Sequence, residues 1–536
     1  MDQKGKKECF SRRDFVKGTA VAAAGSLLGL TSESAKAVSP EKVSHWDEEA
    51  DVVIVGYGAA GGCAAIAAHD AGARVVILEK MPVAGGNSGV SGAAILIPDN
   101  VTDAVKYYRA LSFGTADEEM IRDFAESMVG FPVLLKKLGI PYSVDKALAF
   151  YPNLPGASSI SKRIQFKPPG AGKVKFKALS DLVEKRRIKV LFDTSAKALI
   201  QNSETKEVEG VKAERAGKEI HLRARRGVVL ASGGYEFNQE MLRNFNLPGV
   251  LEFIYPWGSP GNTGDGIKMA LGAGGDLWHM SSFEWGPLCV RPASKEFGVA
   301  VGGGLEEASE GSFMFVNRYG KRFMDERKSM VHQRSPQEIV SFDGVRGEYS
   351  NLPAYMIFDE AYRSKGPIVA TPEYFDLFFK GQVGYWMVKQ LHLWSNDNAS
   401  EVAKGWIIKS ETIKDLARKM KIDAAGLADT IQKFNNFCAV GKDDPQYGRY
   451  IASMAPLKDP PFYAVEIGLT LINTQGGPKR NRHGQVLGID NKPIPRLYTA
   501  GELGSFFGWL YQAGTNFAEA WTSGYAAGKS AASQKP

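Results

Sequence analysis

The sequence predicts an α/β protein in which a Rossmann-type nucleotide-binding domain is discontinuous in the chain and carries an inserted α+β domain. Three observations lead to this fold class: a β-α-β unit with a glycine-rich turn near the N-terminus, the loss of that pattern between residues 277 and 450, and its return over residues 474–536. The 536 residues also exceed what one hydrophobic core usually serves, so at least two domains are expected.

The β-α-β unit begins with a short run of β-branched residues at 51–55, which runs directly into a glycine-rich turn. An alanine-rich helix follows to residue 70, and a second apolar strand occupies residues 75–78. Further strands are predicted at 189–192 and 227–232, and a helix is predicted at 414–434. We therefore predict four segments, which are a leader at 1–37, a first nucleotide-binding part at 48–280, an inserted domain at 281–451 and a second nucleotide-binding part at 452–536.

The leader has the features of a twin-arginine export signal. Arg12 and Arg13 precede an apolar stretch at 19–30, and Ala35-Lys36-Ala37 offers a small-x-small cleavage site. The alternative is an N-terminal helix, but about 12 apolar residues are too few to cross a bilayer. The signal predicts a periplasmic or extracellular protein that is exported already folded, with no transmembrane segment in the mature chain.

Charge and cysteine usage exclude several classes of protein. The net charge is +7, and residues 1–37 account for +3 of it, since they hold seven Lys or Arg and four Asp or Glu. No basic run with interleaved aromatics follows, which argues against nucleic acid as a partner. Beyond the leader, Cys63, Cys289 and Cys438 form no Cys-x-x-Cys pair, which argues against a metal site, an iron-sulfur cluster or covalent haem in this chain.

The glycine-rich turn matches the dinucleotide fingerprint in its full context. Gly56 permits the tight turn, Gly58 lets the backbone approach a pyrophosphate, and Gly61 lets the helix pack closely on the strand. Glu79 ends the second strand, where a carboxylate accepts hydrogen bonds from ribose hydroxyls and disfavours the 2′-phosphate of NADP. Phosphates would face the positive N-terminus of the helix.

Segments beyond the first unit favour FAD over NAD. They are rich in small and hydroxyl side chains or end strands in turns, and they comprise residues 79–82, 85–88, 91–93, 231–234, 262–266 and 498–502. In this order they resemble the FAD-binding pattern of the fumarate reductase and succinate dehydrogenase flavoprotein family, which also contains the ketosteroid dehydrogenases. The motifs that carry the resemblance are GYGAAG, EKMPVAGGNSG, ASGG, NTGDG, VNRYGKRFMDE, TQGG and AGELGSFFGWLYQAGTNFAEA.

The resemblance implies how the cofactor is held. Glu79 would bind the adenosine ribose, Glu502 the ribityl chain, and the helix that opens at residues 514–517 would point its positive end at the flavin. The inserted domain would cap the substrate. The residues expected to bind FAD are Gly56, Gly58, Ala59, Ala60, Gly61, Glu79, Lys80, Gly85, Gly86, Asn87, Ser88, Ser91, Gly92, Ala231, Ser232, Gly233, Asp265, Gly266, Gly501, Glu502, Gly514, Thr515, Asn516 and Phe517.

Two further expectations concern the attachment of FAD and the substrate. Family members with covalent FAD attach it through a histidine after GGNS, but residues 70–200 contain no histidine, so non-covalent FAD is expected. Fumarate-type members use an arginine acid and a cationic clamp, where this chain has Met330 and the segment 508–512. Without those cations a buried dicarboxylate would be unpaired, at a cost of several kcal/mol per ion.

The catalytic candidates follow from the same resemblance. Tyr511 would donate a hydrogen bond to a substrate carbonyl, as a tyrosine of the ketosteroid dehydrogenase branch does, although it could instead only pack beneath the flavin. His332 is a candidate proton donor, with Arg327 and Arg334 as alternative acids or anion clamps. Arg322 and Glu326 are expected to brace that loop. An apolar substrate surface is expected from Phe506, Phe507, Trp509 and Leu510.

The leading prediction is an exported FAD-dependent oxidoreductase that transfers hydride between flavin N5 and an enone, enoate or ketosteroid-like substrate with an apolar body. One alternative is a periplasmic respiratory reductase of an unsaturated carboxylate of the fumarate or urocanate type. A second alternative is a flavin-bearing electron-transfer subunit without catalysis. A separate cytochrome-linked or quinone-linked electron partner is compatible with all three predicted functions.

Overall fold

The computed structural model describes residues 36–305, 310–327, 334–370, 392–507 and 509–536, with the side chains of residues 334 and 335 excepted. The strands are β1 Glu48–Val55, β2 Val75–Leu78, β3 Leu96–Pro98, β4 Tyr142–Lys146, β5 Ile160–Phe166, β6 Lys189–Leu191, β7 Thr194–Gln201, β8 Val208–Arg215, β9 Lys218–Leu230, β10 Ile254–Pro256, β11 Leu277–Trp278, β12 Phe283–Trp285, β13 Cys289–Val290, β14 Phe313–Val316, β15 Phe342–Asp343, β16 Glu348–Tyr349, β17 Tyr355–Asp359, β18 Ile407–Ser410, β19 Phe462–Thr474, β20 Gly477–Pro478, β21 Gln485–Leu487 and β22 Pro493–Thr499. The α-helices are α1 Ala59–Asp70, α2 Gly86–Val90, α3 Val101–Leu111, α4 Glu118–Val129, α5 Phe131–Leu138, α6 Gly172–Lys185, α7 Gln239–Phe245, α8 Asp265–Gly272, α9 Arg291–Phe297, α10 Arg334–Ile339, α11 Glu360–Arg363, α12 Ala399–Ala403, α13 Ile413–Met420, α14 Ala424–Val440 and α15 Thr515–Ala532.

The predicted β-α-β unit is the centre of an eight-stranded sheet. β1 pairs in parallel with β2 on one side and with β9 on the other, and β6 extends the sheet beyond β2. Residues 52–55 and 75–78 are all buried, as expected for parallel strands that are covered on both faces. The observed strands and the helix between them agree with the prediction to within a few residues.

The C-terminal part of the chain returns to this sheet, which confirms that the nucleotide-binding domain is discontinuous. β22 pairs in parallel with β9, with Leu497 opposite Val228. The last helix, α15, then packs against α1, and two glycines let the backbones approach closely. A Cβ atom at Gly524 would lie 2.3 Å from the carbonyl oxygen of Ala60, and one at Gly528 would lie 2.1 Å from that of Ala64.

A second, seven-stranded sheet is built around the long strand β19. This strand pairs in parallel with β10 and antiparallel with β12, β13, β17 and β18, and β14 pairs with β17. The helix predicted at 414–434 is two helices, α13 and α14, because the chain turns at Lys421 with φ of 59°. Since β10 precedes residue 281 and β19 follows residue 451, this sheet extends beyond both predicted limits of the inserted domain.

A three-stranded sheet, β3-β5-β4, lies beside the nucleotide-binding domain and packs with helices α3 and α4. No helix within the described ranges is both long and apolar enough to cross a membrane.

Replacing Gly528 by valine should lower the free energy of unfolding by about 2 kcal/mol, because the new side chain collides with the backbone of α1 and forces the two helices apart. Chemical denaturation of the FAD-free protein measures this change. The neighbouring exposed position provides a control, since Lys529→Val should shift stability by no more than about 0.5 kcal/mol. Equal destabilisation by both variants would contradict the close helix contact.

Candidate active site

A cavity of about 910 Å³ opens at the carboxyl ends of the parallel strands of the first sheet. Val55 at the end of β1, Leu78 at the end of β2 and Ala231 just after β9 all line it. Ligands of open α/β sheets bind at this edge. The volume is at the upper end of the roughly 300–1,000 Å³ typical of ligand pockets, so the cavity can hold a large cofactor.

The glycine turn has the geometry that its sequence predicts. Gly56 has φ of 101°, and a Cβ atom there would lie 2.5 Å from the carbonyl oxygen of Ala231. A Cβ atom at Gly61 would lie 2.0 Å from the carbonyl oxygen of Gly56, so only glycine lets α1 begin this close to β1. Gly58, in contrast, has only ordinary contacts on its Cβ side and lines the cavity.

The N-terminus of α1 faces the cavity, because Ala59 and Ala60 line it. The backbone N–H of Ala59 donates to the hydroxyl of Ser88 at 3.0 Å, which fixes the loop after β2 against the turn. The positive end of the helix dipole therefore lies where a diphosphate would be bound.

Glu79 lies where the sequence predicts, at the end of β2, and is 8% exposed. Its two oxygens accept hydrogen bonds from the backbone N–H groups of Tyr57 at 2.7 Å and Met81 at 2.8 Å. Burial raises its pKa above the ordinary range, although those hydrogen bonds oppose the effect. Next to it Lys80 donates to Asp265 at 2.7 Å, so these two predicted cofactor residues pair with each other on the cavity wall.

The buried polar atoms on the cavity wall include two, on different elements, that have no hydrogen-bond partner among the described residues. They are the hydroxyl oxygen of Ser232, after β9, and the amide oxygen of Asn516, in the first turn of α15. A buried polar atom that is left unpaired is costly, so these atoms are suited to a polar ligand. Ser232 lies after the central strand and Asn516 at the start of the last helix, and a dinucleotide has polar groups along its whole length. The residues therefore fit FAD.

Six of the predicted cofactor residues do not line the cavity. They are Gly61, Gly85, Gly266, Gly501, Gly514 and Thr515. Several of them act through packing: a Cβ atom at Gly501 would lie 2.7 Å from that of Ala60, and one at Gly514 would lie 2.5 Å from the carbonyl oxygen of Ala94. Because Gly501 and Gly514 have no side chains, the residues that do line the cavity can pack closely against them. The other eighteen predicted positions line it directly.

Two carboxyl groups, those of the buried Glu236 and the half-buried Glu502, form a pair beside the predicted ribityl site. The amide nitrogen of Asn87 bridges the two carboxyl groups, at 2.8 Å from Glu236 and 3.1 Å from Glu502, and Asn262 donates to Glu236 at 2.7 Å. Burial raises the pKa of Glu236 to about 7. Burial and the charge of Glu236 together raise the pKa of Glu502 well above its usual range. The pair therefore holds a proton near neutral pH.

Tyr511 lies in the cavity wall, four residues before the last helix begins. Its hydroxyl accepts a hydrogen bond from the N–H of Gly514 at 3.0 Å, and its ring meets Phe150 edge-on at 6.4 Å between centroids. Burial, with the nearby carboxylate of Glu284, raises the pKa of Tyr511, so the phenol stays protonated and can donate. Glu284 itself is 2% exposed and lines the same cavity.

The side chains of the other two catalytic candidates, His332 and Arg334, lie outside what the structure describes. His332 and the Met330 position lie outside the described residues, and Arg334 begins α10 with a side chain that is not described. Arg322 forms a two-point ion pair with Glu326, both bonds being 2.8 Å, and a third contact to Asp444. All three are buried and do not line the cavity, which is the bracing position expected for Arg322 and Glu326.

The prediction that residues 506, 507, 509 and 510 form an apolar substrate surface is wrong, because none of them lines the cavity. Phe506 and Phe507 are 3% and 4% exposed and pack edge-on against Phe124 in the core. Trp509 and Leu510 do not line the cavity either, and Trp509 is exposed. The reason is that the chain turns after Leu503, so that Tyr511 points into the cavity while the preceding aromatics face α3 and α4.

A polar wall of the cavity was not found from the sequence. It is formed by Ser143, Asp145, Arg163, Gln165 and Lys175, from β4, β5 and the first turn of α6. These residues lie in no recognisable motif, and their alternation on two short strands is the one signal that could have placed them on a common face. No group of His, Cys, Asp or Glu in the described ranges is arranged to hold a metal ion.

Fold and cavity together define a dinucleotide-binding flavoprotein with a discontinuous Rossmann-type domain. A family model described as an FAD binding domain matches residues 51–518, and the chain belongs to this family. A second model, for the twin-arginine translocation pathway signal sequence, matches residues 9–29. The protein is therefore an FAD-binding protein that is exported by the twin-arginine route to the periplasm or beyond.

Known relatives include oxidoreductases of several kinds. The chain is 28% identical to NADH:fumarate oxidoreductase of Klebsiella pneumoniae over 84% of its own length, but it spans only 44% of that protein. It is 27% identical to 3-oxosteroid 1-dehydrogenase of Mycolicibacterium smegmatis, over 90% of this chain and 96% of that protein. Among solved structures, 3-ketosteroid delta1-dehydrogenase from Sterolibacterium denitrificans superposes with a TM-score of 0.75 at 24% identity, over 91% of this chain and all of that chain, which supports the same fold.

Glu236→Gln should remove a pH-dependent loss of stability from the FAD-free protein. The folded state keeps Glu236 protonated up to about pH 7 and the unfolded state only to about its ordinary value of 4.5, so stability is full below 4.5 and falls as pH rises to 7. Glu236 should contribute about 3 kcal/mol of this fall, so the fall should be smaller by about that amount in the variant. Denaturation at pH 5 and pH 8 measures it.

The exposed Glu204→Gln is the matched control for this variant and should keep the pH dependence of the parent protein. An unchanged slope in Glu236→Gln would show that the carboxyl pair does not hold the proton.

Proposed function

We propose that this exported flavoprotein transfers hydride between flavin N5 and the β-carbon of a ketone while a proton is exchanged at the α-carbon, so that it reduces an enone or oxidises the corresponding saturated ketone. The observation that carries the proposal is the phenol of Tyr511. It lies in the cavity wall beside the N-terminus of α15, and burial, together with the carboxylate of Glu284, raises its pKa and keeps it protonated. The 3-oxosteroid 1-dehydrogenase among the relatives, which covers nearly the whole chain, supports a ketone of this class.

The chain's own residues would perform three tasks. Tyr511 donates a hydrogen bond to the substrate carbonyl oxygen and stabilises the negative charge that develops there, a contribution of about 10²-fold in rate. The N-terminal turn of α15 holds Asn516 at the cavity and presents its positive dipole end to the cofactor. Bound FAD supplies the hydride acceptor or donor. His332 and Arg334 are the proposed proton donors or acceptors.

The attachment of FAD and the electron partner are also proposals. The described residues that line the cavity include neither histidine nor cysteine, which supports non-covalent binding. The chain has no haem-attachment motif, so electrons would pass between the flavin and a separate cytochrome-linked or quinone-linked protein.

Reduction of an unsaturated carboxylate is the second candidate, and a specific observation favours it. Arg163 and Lys175 place two cations on the polar wall, where a substrate carboxylate could pair with them. NADH:fumarate oxidoreductase among the relatives is consistent with such a substrate. Arg163 already faces Asp145 at 3.6 Å, however, so a substrate carboxylate would compete with an existing partner.

Anaerobic stopped-flow mixing of the dithionite-reduced protein with a panel of acceptors distinguishes the ketone proposal from the carboxylate proposal. We expect flavin absorbance to recover rapidly with α,β-unsaturated ketones, including a 3-keto-4-ene steroid, and slowly with fumarate or urocanate. Recovery with the unsaturated acids alone would overturn the ketone proposal in favour of the second candidate. Recovery with no small acceptor, but with an oxidised cytochrome, would indicate an electron-transfer subunit.

Tyr511→Phe should lower the rate of flavin reoxidation by the best ketone about 100-fold, because it removes the hydrogen-bond donor and keeps the ring. FAD content should stay unchanged, and the unfolding midpoint should fall only slightly, because the N–H of Gly514 loses its acceptor. Tyr450→Phe changes an exposed phenol outside the cavity and should react at the parent rate. A parent-like rate in Tyr511→Phe would remove the hydroxyl from the mechanism and leave Tyr511 as a packing residue.

A further inference from the structure

Lys175 is a buried cation on the cavity wall. It lies in the first turn of α6, is 2% exposed and lines the cavity. Its ammonium group donates to the carbonyl oxygen of Ala93 at 2.5 Å and lies 3.5 Å from that of Ile164. Neither partner carries a charge, and Lys175 forms no ion pair with any described carboxylate.

A charge buried in this way is unfavourable unless an anion joins it. Burial lowers the pKa of Lys175 to about 8, and the positive charge of Arg163 acts in the same direction. An apolar side chain of similar length would fill the same space without that penalty. A negative group that enters the cavity beside Lys175 would offset this penalty.

The contact with Ala93 also fixes a strained part of the loop. Ala93 has φ of 45°, in the left-handed region that favours glycine, and the backbone N–H of Gly172 donates to the carbonyl oxygen of Ser91 at 2.8 Å. The start of α6 thus holds the segment 91–94 at two carbonyl groups. In a trans peptide the C=O and N–H groups point in opposite directions, so binding the Ala93 carbonyl turns the N–H of Ala94 away from Lys175.

The same segment meets the last helix at the predicted flavin end of the cavity. Gly514, which caps α15, packs on the carbonyl oxygen of Ala94, and both Ala94 and Asn516 line the cavity. The N–H of Ala94 makes no hydrogen bond with the described part of the chain. Lys175, the Ala94 N–H and the positive end of α15 are thus three positive groups near one end of the cavity.

We infer that Lys175 sets the reduction potential of the bound flavin: its charge stabilises the reduced flavin, and its bond to Ala93 orients the Ala94 N–H toward the ring. Two-electron reduction with uptake of one proton at N5 leaves a negative charge at N1 and the C2 carbonyl of the flavin. A fixed cation near the ring therefore favours the reduced form. The inference rests on the proposed function only in placing the flavin ring at this end, and no substrate enters it.

The test is the potential of the FAD-loaded protein, measured by dye equilibration with dithionite as reductant. Lys175→Met removes the charge and keeps the length, and we expect at least a tenfold loss of preference for reduced over oxidised flavin, which is a fall of about 30 mV for a two-electron couple. Lys175→Arg keeps the charge and should retain most of the potential. Lys173→Met, two residues away and exposed, removes the same charge and should leave the potential unchanged.

Sulfite affinity is an independent measurement on the same proteins. Sulfite adds its lone pair to N5 of oxidised flavin and leaves a negative charge at N1, so its dissociation constant reports the same positive charge without reduction. We expect Lys175→Met to bind sulfite at least tenfold more weakly than Lys173→Met. Lys175→Gln provides a second neutral variant if Lys175→Met takes up no FAD.

Three outcomes would overturn the inference. One is a Lys175→Met protein with full FAD content and the potential and sulfite affinity of the parent. Another is a potential that falls equally in Lys173→Met. The third is a failure of both neutral variants to bind FAD while Lys175→Arg binds it, which would make Lys175 a residue for cofactor affinity. Because each measurement omits substrate, a wrong substrate class would leave these results unaffected.

Discussion

The close packing of the last helix on the first one is the contact on which the site depends. Residues 515–532 lie against residues 59–70, and the carbonyl oxygens of Ala60 and Ala64 occupy the space that side chains at Gly524 and Gly528 would need. This contact brings the start of α15 to the glycine turn, although more than 450 residues separate them in the chain. Asn516 and Gly58 consequently line one cavity, and neither end of the chain could form it alone.

Charge is distributed unevenly around that cavity. The buried Glu236 and the half-buried Glu502 hold a proton beside Asn87, whereas Lys175 and two helix N-termini put positive charge elsewhere on the wall. In surroundings of low polarity such charges act strongly on whatever is bound. The neutral ring of an oxidised flavin and the negatively charged ring of its reduced form would therefore interact differently with the same walls, which gives the protein a means to set the potential of the flavin.

Local patterns predicted the first sheet well because each element is specified by its own residues. The strands at 51–55 and 75–78 are short apolar runs, and Gly56, Gly58 and Glu79 follow from one motif with known geometry. The cavity wall formed by β4, β5 and α6 was missed because Arg163 and Lys175 resemble ordinary surface residues in the sequence. Phe506 and Phe507 were wrongly predicted to form the substrate surface, because a hydrophobic side chain fits such a surface and a protein core equally well. Only the turn of the backbone determines that they pack in the core. β19 was not predicted, although its aromatic and β-branched residues at 462–474 are typical of a strand. Only its pairing with partners distant in the chain leaves no local signal.

The long strand β19 connects the second sheet to the cavity and thereby limits how the molecule opens. Ile472 and Asn473, near the end of that strand, line the cavity, and the hydroxyl of Thr474 accepts a hydrogen bond from the N–H of Tyr235 at 2.9 Å. A rigid rotation of the whole second sheet would pull these residues out of the cavity floor. Admission of a substrate should therefore rely on local rearrangement at the rim of the cavity, where β19 contributes no residues.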